Sequence, residues 1–319
     1  RRGMSAEVEA VLFIFGLIAL GYLAGVSGYL KAEAGDALAE FAVSVAVPLL
    51  LFKTMQSADF HGAAPWSLWI AYFASVTIAW ALGQFVTTRV FGRDARAGVV
   101  GGVSASFSNT VLLGIPLVLG VFGQAGFEIL ALIVSVHLVV MMAASIVVFA
   151  ILDGSRDGAP RLSALVSDFF GKLLRNPIII GILAGLAFRF PGLQLPGLGL
   201  RFVDALAGIA GPLALFSIGL GLRRYGIAGN LRAGVALAGL KLILMPALTL
   251  VLALALGLPP LAAQVAVITA SLPTGVNAYL IAVQFGTGQA ISTNAMMIAT
   301  SCAVVTISLW LLVLQAVFG

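Results

Sequence analysis

Stretches of apolar residues long enough to cross a bilayer recur from one end of this chain to the other, and they constrain its fold more than any motif. The first, "VEAVLFIFGLIALGYLAGV" from Val8 to Val26, carries one charge, Glu9. A spanning helix needs about 20 such residues, and a segment in lipid must satisfy its own backbone hydrogen bonds. The pattern predicts an all-α membrane protein with ten transmembrane helices, at 8–26, 36–54, 66–89, 95–120, 125–152, 176–190, 202–222, 232–256, 260–285 and 289–318. The first run lacks a small-residue cleavage site and reads as a span rather than a signal peptide. Arg1, Arg2 and Gly3, ahead of Met4, read as an expression remnant.

Composition agrees with this class. Of 319 residues, 61% are hydrophobic and 9% are charged, against about 25% charged in soluble domains. Cys302 is the chain's single cysteine, which excludes an internal disulfide and a cysteine-based metal cluster. The net charge of +5 sits mostly in short loops, where membrane topology explains it better than nucleic acid does. No P-loop, no His/Cys/Asp/Glu cluster with metal spacing and no supported Ser-His-Asp set is found, so neither an enzyme, nor direct ATP drive, nor a resident cofactor is expected.

The longest connection, Asp153–Arg175, separates two halves of five spans that resemble one another. "VPLLLF" (Val47–Phe52) echoes "GPLALF" (Gly211–Phe216), with Pro48 and Pro212 164 residues apart, and "DALAEF" from Asp36 echoes "DALAGI" from Asp204. The same offset carries Asn109 onto Pro273. With five spans per half, the second half enters the membrane upside down, giving a 5+5 inverted repeat of the kind common in secondary transporters. Eleven Lys and Arg residues fall on the side of the 153–175 loop and five on the other, or three without Arg1 and Arg2. The positive-inside rule makes that loop cytoplasmic and puts both termini outside.

Two spans are interrupted where interruption is costly. The fourth reads "GVVGGVSASFSNTVLLGIPLVLGVFG" and the ninth "LAAQVAVITASLPTGVNAYLIAVQFG". Pro116 cannot donate to the Leu112 carbonyl, nor Pro273 to that of Thr269. A lone proline in a membrane helix is ordinarily a kink, and a lone asparagine an interhelical hydrogen bond. Two breaks at corresponding places in two repeats point instead to a transporter site. If the segments cross, half-helix N-termini near Pro116 and Thr274 would favour an anion, and the Asn109 and Asn277 amides can donate to a carboxylate.

Ionisable groups within the spans are few. Glu128 and His137 lie on span five; His137 reads as a proton-exchanging group or as a packing hydrogen bond. Lys241, about nine residues inside span eight, reads as a charge partner for an anion or an acid, or as a snorkelling side chain. Lys53 closes span two on the outer side and is a second charge candidate. With no carboxylate obvious at the breaks, a sodium site would draw on oxygens of Ser104, Ser106, Ser108, Thr269, Ser271, Asn294 or Ser301. The same small residues serve helix packing equally well. Gly181 and Gly185 carry a weak small-xxx-small packing signal. The coupling ion, H+ or Na+, stays open.

"SFSNTVLLGIPLV" (Ser106–Val118) and "LPTGVNAYLIAVQFG" (Leu272–Gly286) together resemble the two signature segments of the auxin efflux carrier family. The short central loop suits its bacterial malate- or malonate-type permeases, with their bile-acid-symporter-like fold, better than the plant carriers. The resemblance implies a bacterial inner-membrane protein with a scaffold of spans 1, 2, 6 and 7 (8–54 and 176–222) that also forms a homodimer. Spans 3–5 and 8–10 (66–152 and 232–318) would form a transport domain moving as an elevator, with a small organic anion at the crossover of helices 4 and 9. Its substrate contacts map onto Asn109 and Asn277, with Thr110, Thr274 and Gly275 beside them, and its crossover prolines onto Pro116 and Pro273. A membrane ligand sensor and a sodium-coupled bile-acid-type symporter are the alternatives; an uncoupled channel fits the occluded breaks least.

Overall fold

The computed structural model describes residues 6–57, 65–153, 167, 169–171, 173–222 and 231–319. The presumed remnant Arg1–Gly3 lies outside the described residues, as do most of the 153–175 loop and Arg223 and Arg224. The chain is all-helical, and among the described residues no strand forms. Among the described residues, seven helical stretches are long and apolar enough to cross a membrane: Glu9–Val26, Glu33–Ser57, Trp66–Val90, Thr110–Asp153, Gly197–Leu222, Leu231–Ala255 and Gln289–Phe318. Pro177–Arg189 is a shorter apolar helix.

The segments expected as spans four and nine are both broken. Ala95–Ser106 stops before Thr110–Asp153 begins, and Pro260–Ser271 stops before Val276–Gln284. The boundary expected near 120–125 is present: within the run Ile115–Asp153 two helices meet at the non-helical Gly123. Its φ of 64° lies in the left-handed region that glycine tolerates without strain.

Four π-helical turns interrupt the regular ladder, and three have an identifiable cause. Ala42–Ala46, Thr110–Gly114 and Leu240–Leu244 end two residues before Pro48, Pro116 and Pro246. A proline removes the bond to the carbonyl four residues back and clashes with it. Those carbonyls belong to Ser44, Leu112 and Leu242, the central residue of each wide turn. The Leu242 carbonyl finds a substitute donor in the Trp310 indole N–H at 2.9 Å.

The chain divides into two compact units. The first comprises Arg1–Ala63, Val111–Ser135 and Phe170–Arg224. Its helices meet through glycine. A Cβ on Gly181 would stand 2.4 Å from the Pro48 carbonyl oxygen, and one on Gly185 2.5 Å from that of Phe52. The weak Gly181/Gly185 signal is thus a close backbone approach, the packing mode available to helices in lipid. The second unit comprises Ala64–Thr110, Val136–Phe169 and Tyr225–Gly319. Here Gly98, Gly101 and Gly102 seat the Ala95–Ser106 helix against Trp80, Thr87 and Thr88. Asp94 caps that helix by accepting from the Ala97 N–H at 2.8 Å. Arg96 binds the Asp153 carboxylate and donates to the Phe285 carbonyl at 2.8 Å. The Phe149 and Phe285 rings stack at 3.9 Å beside it.

Candidate functional site

The two breaks meet inside the second unit. Phe107, with ψ of 101°, takes the chain out of the first helix, and Leu272, with ψ of 145°, out of the second. Leu272 is extended because it precedes a proline, whose ring disfavours the helical region for its neighbour. The unwound residues then pair with each other. Ser108 and Thr274 form an isolated antiparallel bridge. The Asn109 N–H donates to the Pro273 carbonyl and the Gly275 N–H to the Phe107 carbonyl, each at 2.9 Å. Buried backbone groups stripped of helical partners must find others, and here each break supplies them to the other. Gly275 is needed for the approach: a Cβ there would sit 3.3 Å from both the Asn109 Cα and the Ser108 carbonyl oxygen.

The helix ends are closed by unlike groups. The Thr274 hydroxyl donates to the Ser104 carbonyl at 2.6 Å. The Ala270 carbonyl accepts from the fully buried Lys241 ammonium. Among the described residues no carboxylate pairs with Lys241, so it neither snorkels nor forms the acid pair considered from sequence.

Other sequence candidates divide clearly. Asn109 and Asn277 are both partly buried, and neither amide is engaged by another described residue. Asn277 is the second residue of Val276–Gln284, whose start no side chain caps. Thr110 is buried and opens the π turn. Pro116 is buried in the first unit, lining an apolar cleft of about 300 Å³ with Gly211 and Pro212; it is not part of the bridge. Ser106, Thr269 and Ser271 bond back to Gly102, Val265 and Ile268 on their own helices, as packing hydroxyls do. Ser104 is buried with its hydroxyl unpartnered, Asn294 is buried against Gly234, and Ser301 is exposed. Glu128 is partly buried in the first unit. Lys53 pairs with Asp204 at 2.6 Å, both well exposed.

His137 is buried without the packing hydrogen bond that sequence suggested. Tyr72, Phe73 and Phe107 surround its ring at centroid distances of 5.6, 6.3 and 4.9 Å. The Ser108 backbone lies beside it, but neither ring nitrogen reaches hydrogen-bond geometry. Sequence reasoning missed Tyr72, whose hydroxyl donates to the Ser108 hydroxyl at 3.1 Å. A phenol amid apolar residues was its signal, since a buried tyrosine O–H usually has a partner.

The profile of the family described as membrane transport protein matches residues 6–311. The chain belongs to that family, the auxin efflux carriers. It is 26% identical over 314 residues to an uncharacterized transporter of Methanothermobacter thermautotrophicus, covering 97% of this chain and 98% of the other. It is 29% identical over 315 residues to a Rhizobium meliloti protein named "putative malonate transporter", covering 95% and 94%. A third relative is the mouse lysosomal cholesterol signaling protein, 29% identical over 223 residues, or 66% of this chain and 25% of the mouse protein. This member of the carrier family is therefore a multi-pass membrane protein with transporter relatives.

Proposed function

We propose that this carrier-family protein is a secondary transporter of a small organic anion, a mono- or dicarboxylate, working by elevator-type alternating access. One observation carries the reading: two unwound segments pair at Ser108 and Thr274 while neither asparagine amide beside them is engaged by another described residue. Two amides and an uncapped helix start supply N–H donors of the kind that bind a carboxylate. Asn109 and Asn277 would hold it, with Thr110, Pro273, Thr274 and Gly275 shaping the backbone and Pro116 setting the wide turn after Asn109.

In this reading the spans form a 5+5 inverted repeat in a bacterial inner membrane, termini outside and the 153–175 loop cytoplasmic. The segments 8–54 and 176–222 act as scaffold and dimer interface, and 66–152 and 232–318 as the transport domain. Malonate is the first substrate to test, because a relative matched along nearly its whole length bears that name. A ligand-sensing role is the second reading, favoured by the 223-residue match to the mouse signaling protein.

The experiment is uptake of radiolabelled malonate, malate and monocarboxylates into proteoliposomes, beside a thermal-shift screen of the same anions, since binding raises apparent stability. Saturable uptake supports transport. Stabilisation without uptake supports the sensor, and an absence of both across the panel refutes the anion class. Asn109→Ala and Asn277→Ala should each lower uptake about 10- to 100-fold, the worth of one hydrogen bond to a charged group.

A further inference from the structure

Asn109 stands at the apex of a three-residue turn. The Thr110 N–H donates to the Ser108 carbonyl at 2.9 Å, and the Asn109 N–H donates to the Pro273 carbonyl at 2.9 Å. A turn this short leaves its central residue little freedom. The direction of the Asn109 side chain therefore follows from where Ser108 and Thr110 are fixed. Thr110 runs straight into the π turn Thr110–Gly114. Ser108 has only its isolated bridge to Thr274, with no ladder on either side of it. Strand pairing of such small extent is marginal by itself.

A side chain from a third helix adds the missing anchor. The Tyr72 hydroxyl donates to Ser108 Oγ at 3.1 Å, and both residues are buried. The phenol ring is itself held: the His137 ring meets it edge-on at 5.6 Å, and Phe107, the residue before Ser108, meets His137 at 4.9 Å. The helix that carries it, Trp66–Phe85, is seated as firmly. Ser75, one turn beyond Tyr72, shares a hydrogen bond of 2.8 Å with Thr249. A Cβ on Gly83 would stand 2.8 Å from the Gly101 carbonyl oxygen. In the other break the Thr274 hydroxyl bonds the Ser104 carbonyl, so that contact stays within the pair.

We propose that Tyr72 is a positioning residue of the anion site: its hydroxyl fixes Ser108, the stem of the turn that presents Asn109, and so sets the direction of the Asn109 amide. The inference rests on reading Asn109 as an anion ligand, and one arm of its test needs no substrate.

The first arm measures carboxylate uptake by the full-length protein in proteoliposomes. Tyr72→Phe, which keeps the ring and removes the hydroxyl, should raise KM about 2- to 10-fold, the worth of one neutral hydrogen bond, with kcat unchanged. A merely structural role would lower the active fraction at constant KM. Ser108→Ala should reproduce the effect, and serves equally if Tyr72→Phe does not fold. Adding Tyr72→Phe to Asn109→Ala should cost nothing more in kcat/KM, because no amide is left to position. Added to Asn277→Ala, its factor should multiply.

The second arm follows amide hydrogen exchange in detergent without substrate. Peptides covering 107–111 and 272–276 should exchange faster in Tyr72→Phe than in wild type, as a loosened turn requires. Unchanged exchange overturns the proposal whether or not a substrate is found. So does an unchanged KM, or a Tyr72→Phe factor that multiplies with Asn109→Ala. Faster exchange in a protein that binds no carboxylate would uphold the grip of Tyr72 on the turn and refute the anion reading alone.

Discussion

Ser104 and Ala270 stand at comparable places, each with a carbonyl in the last turn of a helix that stops inside the second unit. Ser104 is served by the hydroxyl of Thr274, which belongs to the opposite break. Ala270 is served by Lys241, which belongs to a third helix. One break is therefore closed by its pairing partner with a neutral donor, and the other from outside with a charge. Sequence-level duplication predicts that the two breaks exist and resemble one another, but local chemistry makes them electrostatically unequal. An anion beside the pair would meet two similar amides and two helix ends closed by different chemistry.

This comparison can be attacked in order of expected effect. The asparagine substitutions come first. If the amides act as equals, Asn109→Ala and Asn277→Ala should reduce uptake by similar factors; a loss in only one would assign the anion to one break. Thr274→Val comes next, because it keeps the shape and leaves the buried Ser104 carbonyl unpaired. That should cost about 1–3 kcal/mol and lower the unfolding temperature accordingly.

Trp310→Phe should cost about 1 kcal/mol, the net worth of the hydrogen bond to Leu242, read as a small drop in melting temperature. An unchanged melting temperature would mean that another donor serves the Leu242 carbonyl in that variant. The smallest effect is expected from His137→Phe, since three aromatic rings already line the site and no hydrogen bond is lost. Stability should stay within about 1 kcal/mol of wild type. A changed pH profile of uptake would move His137 from packing to proton coupling.

Much of the architecture was legible because bilayer thickness and backbone satisfaction leave few options to runs of this length. The breaks were legible too, since Pro273 and the glycines and asparagines around it have no place in a regular span. What escaped depends on direction. Sequence supplies a serine, not the rotamer that turns Ser271 back to Ile268 while leaving the Ser104 hydroxyl unpartnered. It left Lys241 between snorkelling and burial, because nine residues from a span end suits either. The wide turns before Pro48, Pro116 and Pro246 were in principle readable from the carbonyl four residues back. The boundary at Gly123 was legible as well: a positive φ there interrupts the helical ladder, and glycine meets it without strain.

Arg96 has a mechanical consequence. It stands at the start of Ala95–Ser106, grips Asp153 at the end of one helix, and reaches the Phe285 carbonyl just past the end of Val276–Gln284. The two interrupted helices are thus clamped twice, by peptide bonding at Ser108–Thr274 and by a guanidinium well removed from it in sequence. Two clamps remove the freedom to slide or pivot that one would allow. Force applied to either helix is shared by the other, so the pair shifts as a single strut.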